Sequence, residues 1–433
     1  MSIYDKASLV QIPSGVKSGT LYNVVPNTAD GDFDFTRGSS ATRVNKDGLI
    51  ETVASGVPRL DYPLLDGVVQ DCPALLLEPS RTNRITDTEG WGGFSEVQAV
   101  LSDNTSITAP DGSTTGIKTL TSSSTSQPRI EWRGIAVPST TTTYVWSVFV
   151  KKGTTRYVAL SHFSDSTQWA VFDLDNGVIQ DEAGSDVPAK IENYGSGWYR
   201  ISKGATITTG QSNNYFKLTI ATPSSPSTGV SGETVNIWGF QIEIGLYLSS
   251  FIPTTTVGSI TTRSADVCIG AGTADTFNDS EGVLFAEIAA IDDAETNNRR
   301  LGLTKDGTFE GVRIQYNGST IGAVLYDGTT NQYSQTFTFN DLSLFAKVAF
   351  KYKASDFALW INGFEYGAQS SGATFSEGTL DDLSFDYVGG NPFRGKTKQV
   401  MTFNEALSDT ELENLTSWDS FREMATEQLY SIE

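Results

Sequence analysis

The chain is poor in the residues on which metal, thiol and histidine chemistry depends. Its 433 residues include two cysteines and one histidine. Cys72, Cys268 and His162 are too few for a dedicated zinc cluster, and we expect both thiols to be buried and free. A single histidine, in a chain without a Gly-x-Ser-x-Gly motif, also argues against a Ser-His-Asp hydrolase.

Long apolar runs and an excess of positive charge are also missing. No run approaches the roughly 20 apolar residues that span a bilayer. Residues 1–16 lack a basic segment followed by an apolar stretch, so we expect no signal peptide and no membrane insertion. The 30 Lys and Arg stand against 51 Asp and Glu, a formal net charge of −21. Such a surface repels phosphate backbones, so we expect no nucleic-acid partner.

The residues that are present favour β-structure. Apolar side chains alternate in several runs, and in Val235–Gly245 they place Trp238, Phe240, Ile242 and Ile244 on one predicted face. Tight hairpin turns are marked by three dipeptides: Asn317-Gly318, Asp327-Gly328 and Asn362-Gly363. The predicted fold class is mainly β, with tandem antiparallel β-sandwiches of jelly-roll type after a β-rich N-terminal block.

One helix is predicted, at the end of the chain. Ser408 and Glu411 have the spacing of a capping box, in which each residue satisfies a free backbone N–H. An apolar stripe follows, made of Leu412, Leu415, Trp418 and Phe421. We expect this stripe to pack on the neighbouring sandwich, and contact with another subunit is the alternative.

Short phrases in the first 85 residues occur in an order that resembles a known family. They are Phe35-Thr36-Arg37, Ala41-Thr42-Arg43-Val44-Asn45, Gly48-Leu49-Ile50-Glu51, Pro58-Arg59-Leu60-Asp61-Tyr62, Cys72-Pro73-Ala74-Leu75-Leu76-Leu77-Glu78-Pro79 and Arg81-Thr82-Asn83. Together they resemble the N-terminal block of tailed-bacteriophage virion proteins, of the structural or tail-fibre type. The resemblance implies a phage origin and a role in the particle.

Later phrases resemble two kinds of sandwich. Residues 195–202, 241–245, 250–254 and 262–266 are similar to strands and a linker of carbohydrate-binding-module-like sandwiches in phage proteins. Residues 358–363 and 403–411 resemble a laminin-G or concanavalin-like jelly roll. The implied domains are a virion-attachment block (1–85), a carbohydrate-binding-module-like sandwich (86–265), a laminin-G-like sandwich (266–407) and a C-terminal helix (408–433).

These resemblances imply a fibre, appendage or decoration component of a phage virion, assembled in the cytoplasm of the bacterial host. We expect other virion proteins as partners, with the block 1–85 docking on them and becoming ordered there. We also expect a homo-oligomer, for which a trimer is one arrangement, and a host-surface glycan is a candidate ligand. The alternative is a purely architectural adaptor or decoration subunit that contacts only virion proteins. A polysaccharide depolymerase is the third hypothesis.

Catalysis and metal binding have weaker support. Depolymerisation needs paired carboxylates, and the candidates are Asp173 with Asp175 and the cluster Asp381, Asp382 and Asp386. With 51 acidic residues such clusters arise by chance, so we expect no enzyme and no cofactor. A laminin-G-like fold implies calcium as the one metal option, with ligands that the sequence does not identify.

Tryptophans that stack on sugar rings are the predicted glycan contacts. Four of the eight tryptophans lie in strand-like runs and are expected in the core: Trp146, Trp198, Trp238 and Trp360. The residues expected to be exposed are Trp91, between glycines, Trp132, between Glu131 and Arg133, and Trp169, after a polar loop. These three are the predicted glycan-binding residues.

Overall fold

The structure is a computed structural model, and it describes residues 3–136, 138–162, 167–211, 214–254, 256–292, 297–305, 308–386 and 390–418. Antiparallel sheets dominate these residues, which confirms the mainly β fold class. Within the same residues no helix is long and apolar enough to cross a membrane.

The first part of the chain contains short strands and two 3-10 turns, at Ile3–Lys6 and Ala29–Gly31. Its strands are β1 (Ala7–Gln11), β2 (Val16–Lys17), β3 (Thr20–Leu21), β4 (Phe33–Thr36), β5 (Ala41–Val44), β6 (Ile50–Val53), β7 (Arg59–Asp61), β8 (Leu64–Leu65), β9 (Val68–Val69), β10 (Ala74–Leu77) and β11 (Arg81–Asn83).

The middle part is a sandwich of two six-stranded sheets. Its strands are β12 (Phe94–Val97), β13 (Ala99–Asp103), β14 (Lys118–Ser122), β15 (Arg129–Trp132), β16 (Thr142–Lys152), β17 (Tyr157–His162), β18 (Trp169–Asp173), β19 (Val178–Ala183), β20 (Val187–Asn193), β21 (Trp198–Ile207), β22 (Phe216–Ile220) and β23 (Thr234–Ile244). The front sheet has the order β12-β15-β22-β17-β18-β19, and the back sheet β13-β14-β23-β16-β21-β20.

The last part is a second sandwich, reached through a short connection. The strands are β24 (Thr261–Arg263), β25 (Val267–Ile269), β26 (Glu281–Ala290), β27 (Arg299–Thr304), β28 (Gly311–Asn317), β29 (Thr320–Tyr326), β30 (Asn331–Thr338), β31 (Ala346–Lys353), β32 (Phe357–Ile361), β33 (Phe364–Gln369), β34 (Asp382–Ser384) and β35 (Gly395–Phe403). One sheet follows the order β33-β32-β31-β26-β35-β10-β7, with β1 also on β35, and the other follows β30-β29-β28-β27-β34.

The N-terminal block is built into this second sandwich. Strands β1, β7 and β10 lie in its eight-stranded sheet, and β4 pairs with β25. Leu9, Phe33, Phe35, Leu75 and Leu77 are buried in the same core as the β26–β35 residues. The block is therefore ordered by its own chain, and the expectation that other subunits order it is corrected. Its role in virion attachment stays a prediction.

The long strand β23 corrects one detail of the predicted pattern. Phe240 and Ile242 point into the middle sandwich, whereas Trp238 packs on the opposite side of the sheet, against Phe149 and Phe251. The pairing of β16 with β23 shifts between Ser147 and Phe149, opposite Gly239, whose φ is +61°. A β-bulge at this glycine reverses the alternation, so that Trp238 does not share a face with Phe240.

The C-terminal helix begins as predicted. Helix α1 (Asp409–Thr416) has the complete capping box of Ser408 and Glu411. Leu412 and Leu415 are buried against the outer face of the eight-stranded sheet, which confirms packing on the neighbouring sandwich. The helix ends at Thr416, so the prediction that Trp418 continues its apolar stripe was wrong. Trp418 is partly buried, and Phe421, with the rest of 419–433, lies outside the described residues.

Candidate functional site

The phage-like phrases converge on a buried cluster of ionic side chains. Arg59 donates to Glu78 Oε2 at 2.7 Å and to Asp266, and Arg37 donates to Asp266 Oδ1 at 3.1 Å. Arg263 lies 2.8 Å from Glu78 Oε2. All five side chains are at most 3% exposed. Residues from the first block and from the linker between the sandwiches therefore meet in one closed network.

Both carboxylates of this network are paired with arginines. Burial acts to raise the pKa of Glu78, but Arg263, Arg59 and hydrogen bonds from Ser250 outweigh it and hold that pKa well below its usual range. Ser250 donates both its N–H (2.8 Å) and its hydroxyl (2.7 Å) to Glu78. The network has no unpaired carboxylate to offer a ligand, and its contacts assign it to holding the N-terminal block and both sandwiches together.

A different surface has the composition of a binding site: the outer face of the front sheet. In β15 the alternation turns Ile130 and Trp132 into the sandwich, and Glu131 outward. The neighbouring strand positions are in register, with Glu131 opposite Lys217, Lys217 opposite Ser161, and Ser161 opposite Trp169. One row of this face therefore carries a carboxylate, an ammonium, a hydroxyl and an indole.

Two aromatic rings lie over small side chains on this face. Tyr157 and Trp169 pack on a floor of Ala159, Val171 and Ala221, which are at most 2% exposed. The rings themselves are only partly buried. A ring that is fixed from below by small residues presents a flat, rigid apolar surface, which is the form that sugar stacking requires.

A cationic cluster lies on the same face, in the row that contains Ser161 and Trp169. Arg129 Nε donates to Glu131 Oε2 and Arg133 Nε to Glu131 Oε1, both at 2.8 Å. Burial acts to raise the pKa of Glu131, but the two arginines lower it below its usual value. The Arg133 guanidinium also lies over the Tyr215 ring, 4.6 Å from its centroid. Arg133 is thus held from two sides while its side chain is 46% exposed.

Lys217 completes the cluster in an unusual environment for a lysine. It is only 8% exposed, on the strand next to Glu131. Burial lowers the pKa of Lys217 to about 8, and repulsion from Arg129 and Arg133 adds to the effect. The pKa of this ammonium therefore lies close to neutral pH, in a cluster of three cations and one carboxylate.

Of the three tryptophans predicted to be exposed, the structure places one on this face. Trp169 is half-buried there, although residues 164–166 of the preceding loop lie outside the described residues. The expected exposure of Trp91 and Trp132 was wrong, since they are 4% and 5% exposed in the core of the middle sandwich. Trp91 Nε1 donates to the Gly116 carbonyl at 2.8 Å, and Trp132 packs on Phe94. The four tryptophans expected in the core are buried, which confirms that prediction.

Most of the remaining residues of this face were not predicted from the sequence. Arg129, Glu131, Arg133, Tyr157 and Lys217 did not enter the predicted site. A usable signal was present, because the run Arg129–Arg133 alternates three charged residues with Ile130 and Trp132. Period-two alternation assigns Trp132 to the same face as Ile130, and the charges to the other.

The candidate catalytic carboxylates Asp173 and Asp175 are held in ion pairs. Arg156 binds Asp173 through two nitrogens, at 2.9 and 2.7 Å, and this hydrogen bonding lowers the pKa of Asp173 to about 2. Asp175 lies 3.7 Å from the same guanidinium. In the second cluster, burial raises the pKa of Asp386. Asp173 is therefore a permanent carboxylate that binds an arginine, and it is unsuited to donate a proton.

A groove of about 1430 Å³ lies between the N-terminal block and the two sandwiches. Asp61 in its wall pairs with Lys396 at 2.9 Å, and Glu287 accepts from Gln399 at 2.7 Å. Cys72 also lines it and is exposed, which corrects the expectation that both thiols are buried, while Cys268 is buried as predicted. In the described ranges no group of three or more His, Cys, Asp or Glu is placed to hold a metal ion.

Comparisons with known proteins give partial structural matches only. No protein-family profile and no curated protein sequence matches the chain. The carbohydrate-binding module CBM40 of a Ruminococcus gnavus IT-sialidase, bound to α2,3-sialyllactose, is 16% identical over 33% of this chain and 84% of that one, with a TM-score of 0.29. A leech intramolecular trans-sialidase, in complex with 2,7-anhydro-Neu5Ac, is 19% identical over 33% of this chain and 24% of its own, with a TM-score of 0.29. The binding domain of botulinum neurotoxin serotype G is 12% identical over 35% and 39%, with a TM-score of 0.27. TM-scores this low do not establish a shared fold with these proteins. The resemblance to phage proteins rests on the sequence alone and stays a prediction.

Proposed function

We propose that this chain is a structural component of a bacteriophage virion, and that the outer face of the front sheet binds host-surface glycans. The single observation that carries glycan binding is the pair of rings, Tyr157 and Trp169, lying on small residues beside polar and charged side chains. The phage-like phrases in the first 85 residues support the virion role. In this proposal the chain is assembled into particles in the bacterial cytoplasm.

The proposed activity is adhesion rather than hydrolysis. Asp173 binds Arg156, and Asp175 binds Lys152 and lies near the same arginine, so both carboxylates are held in ion pairs close to Tyr157. A single stacking site is weak, on the order of millimolar or about −4 kcal/mol. Repeated copies in a homo-oligomer, for which a trimer is one arrangement, and on one particle raise the avidity by orders of magnitude.

The direct test measures binding of the full chain, displayed on beads, to an array of bacterial surface polysaccharides. Trp169→Ala is expected to reduce binding at least tenfold, with a melting temperature within a few degrees of the wild type. Phe364→Ala is the matched control, because Phe364 is 69% exposed on β33 of the other sandwich. Equal loss in both variants would contradict a site on the front sheet.

The virion role has a separate test. Mass spectrometry of purified particles from the source phage should detect the chain at a fixed copy number, and absence from the particle would refute the role. If the chain is present and Trp169→Ala particles adsorb to host cells as the wild type does, the purely architectural role is the better account.

A further inference from the structure

One cluster of side chains on the outer face differs from the whole chain in the sign of its charge. The whole chain carries a formal net charge of −21. The cluster of Arg129, Arg133, Lys217 and Glu131 has three cations for one carboxylate, and both carboxylate oxygens accept hydrogen bonds from the arginines. Within this cluster the cations therefore outnumber the carboxylate, in the row of the face that also contains Ser161 and Trp169.

Bringing these three cations close together is electrostatically unfavourable. Lys217 is 8% exposed and lies next to two guanidinium groups, an arrangement in which burial and like-charge repulsion both oppose the charged form. Such groups cluster where a ligand uses them. Arg133 is fixed by Glu131 and Tyr215, so little conformational entropy is lost when it binds an anion.

The spacing between the cations and the indole fits a short saccharide. Lys217 and Trp169 are both in register with Ser161, on the strands at either side of it. Two strand spacings separate their backbones by about 10 Å. One sugar unit of a disaccharide can therefore lie on the indole while an acidic group of the same or the next unit reaches the cations.

We propose that the outer face of the front sheet selects acidic saccharides, with a sugar carboxylate bound by Arg133 and Lys217 and a pyranose ring stacked on Trp169. This inference rests on the proposed glycan-binding function and names the class of its ligand. Glu131 is a positioning residue in this arrangement, because it fixes both arginines without facing the ligand.

The test compares carboxylate-bearing oligosaccharides with their methyl esters, which keep the shape and remove the charge. The probes are tetragalacturonate and 3′-sialyllactose, each as free acid and as ester, titrated calorimetrically into the full chain at pH 7. At least one free acid is expected to bind about 10–100-fold more tightly than its ester, the range of a charge-assisted hydrogen bond. Raising the salt concentration should weaken binding of the acid and leave that of the ester unchanged.

Variants locate the carboxylate. Arg133→Gln and Lys217→Gln should each reduce the affinity for the acid towards that for the ester, and leave the affinity for the ester unchanged. Lys46→Gln is the control, since it removes one exposed positive charge in the N-terminal block. Unchanged discrimination in both face variants would refute the assigned position.

The outcomes separate this inference from the function on which it rests. Equal affinity for acid and ester in both pairs, or preference for a neutral polysaccharide of the array, would overturn the acidic ligand class and leave glycan binding standing. Absence of binding to every probe and every array polysaccharide would overturn the glycan-binding function as well.

Discussion

Replacing Arg59 with methionine tests whether the buried ionic cluster holds the molecule together. Arg59 is 0% exposed and donates to Glu78, to Asp266 and to the Thr42 carbonyl at 3.0 Å. Methionine fills a similar volume but leaves two carboxylates facing an apolar side chain. Breaking a buried ion pair in this way costs about 3–5 kcal/mol of unfolding free energy.

A matched surface pair supplies the control. Arg43 donates to Glu51 at 3.0 Å, in the same N-terminal block, but their side chains are 22% and 44% exposed. Exposed pairs contribute only about 0–1 kcal/mol, so Arg43→Met should have little effect. The unfolding free energy of both variants is measured by urea unfolding followed by tryptophan fluorescence. Trp198 and Trp238 report on this region, because they are buried in one hydrophobic cluster with Ile50 of the N-terminal block.

The pH dependence gives a second readout of the same cluster. The folded-state pKa of Glu78 is lowered from its ordinary value of 4.5, so its contribution to stability is complete above that value and is lost as the pH falls towards the folded-state pKa. Removing Arg59 raises the pKa of Glu78, and acid unfolding of Arg59→Met should begin at higher pH than in the wild type. A loss below about 1 kcal/mol, equal to that of Arg43→Met, would refute the role of the cluster.

Three further predictions follow from burial and charge. Deleting residues 1–85 removes β1, β7 and β10 from the eight-stranded sheet, so the remainder should aggregate on size-exclusion chromatography, and a monodisperse remainder with a native near-ultraviolet spectrum would contradict this. Lys217→Met should raise the unfolding free energy at pH 7 by up to about 3 kcal/mol, because the folded-state pKa of Lys217 is about 8 against an ordinary 10.5. Wild-type stability should then rise between pH 8 and 10.5, where the unfolded state binds more protons, and a lower melting temperature of the variant at pH 7 would exclude the explanation. Cys72 should react with a thiol reagent in the native protein and Cys268 only after unfolding, since burial raises the pKa of Cys268 well above its usual value, and labelling of two thiols per native chain would disprove this.

Local turn chemistry was predictable because it depends on few residues. Asn362 and Gly363 adopt φ values of +50° and +85°, and Ile361 pairs directly with Phe364 across them. This is the two-residue hairpin that an Asn-Gly pair favours. The capping box of Ser408 and Glu411 formed for the same reason, because both partners lie within one helical turn.

The alternation of side chains along a strand predicts the face of a residue only when residues two positions away are compared, and not its immediate neighbours. Trp132 was judged by its charged neighbours Glu131 and Arg133, although these neighbours point to the opposite face of the sheet. Trp238 was misplaced for the opposite reason, since a bulge at Gly239 interrupts a regular period. The shared core of the N-terminal block was beyond local patterns, because pairs such as Leu75 with Thr397 join residues more than 300 positions apart.

No residue of the candidate site lies in a phrase that resembles phage proteins. The phrases therefore bear on the origin of the chain, and the candidate-site residues bear on its proposed specificity. Arg37, Arg59 and Glu78 belong to the phrases and lie inside the ionic cluster, where a change of one partner leaves a buried charge. Trp169, Arg133 and Lys217 lie outside every one of those phrases, on the outer face of the front sheet. If the proposed function is correct, two chains with the same phrases share this architecture and differ in the saccharide that they bind. The resemblance supports a common fold, and ligand identity has to be argued from the outer face of the front sheet.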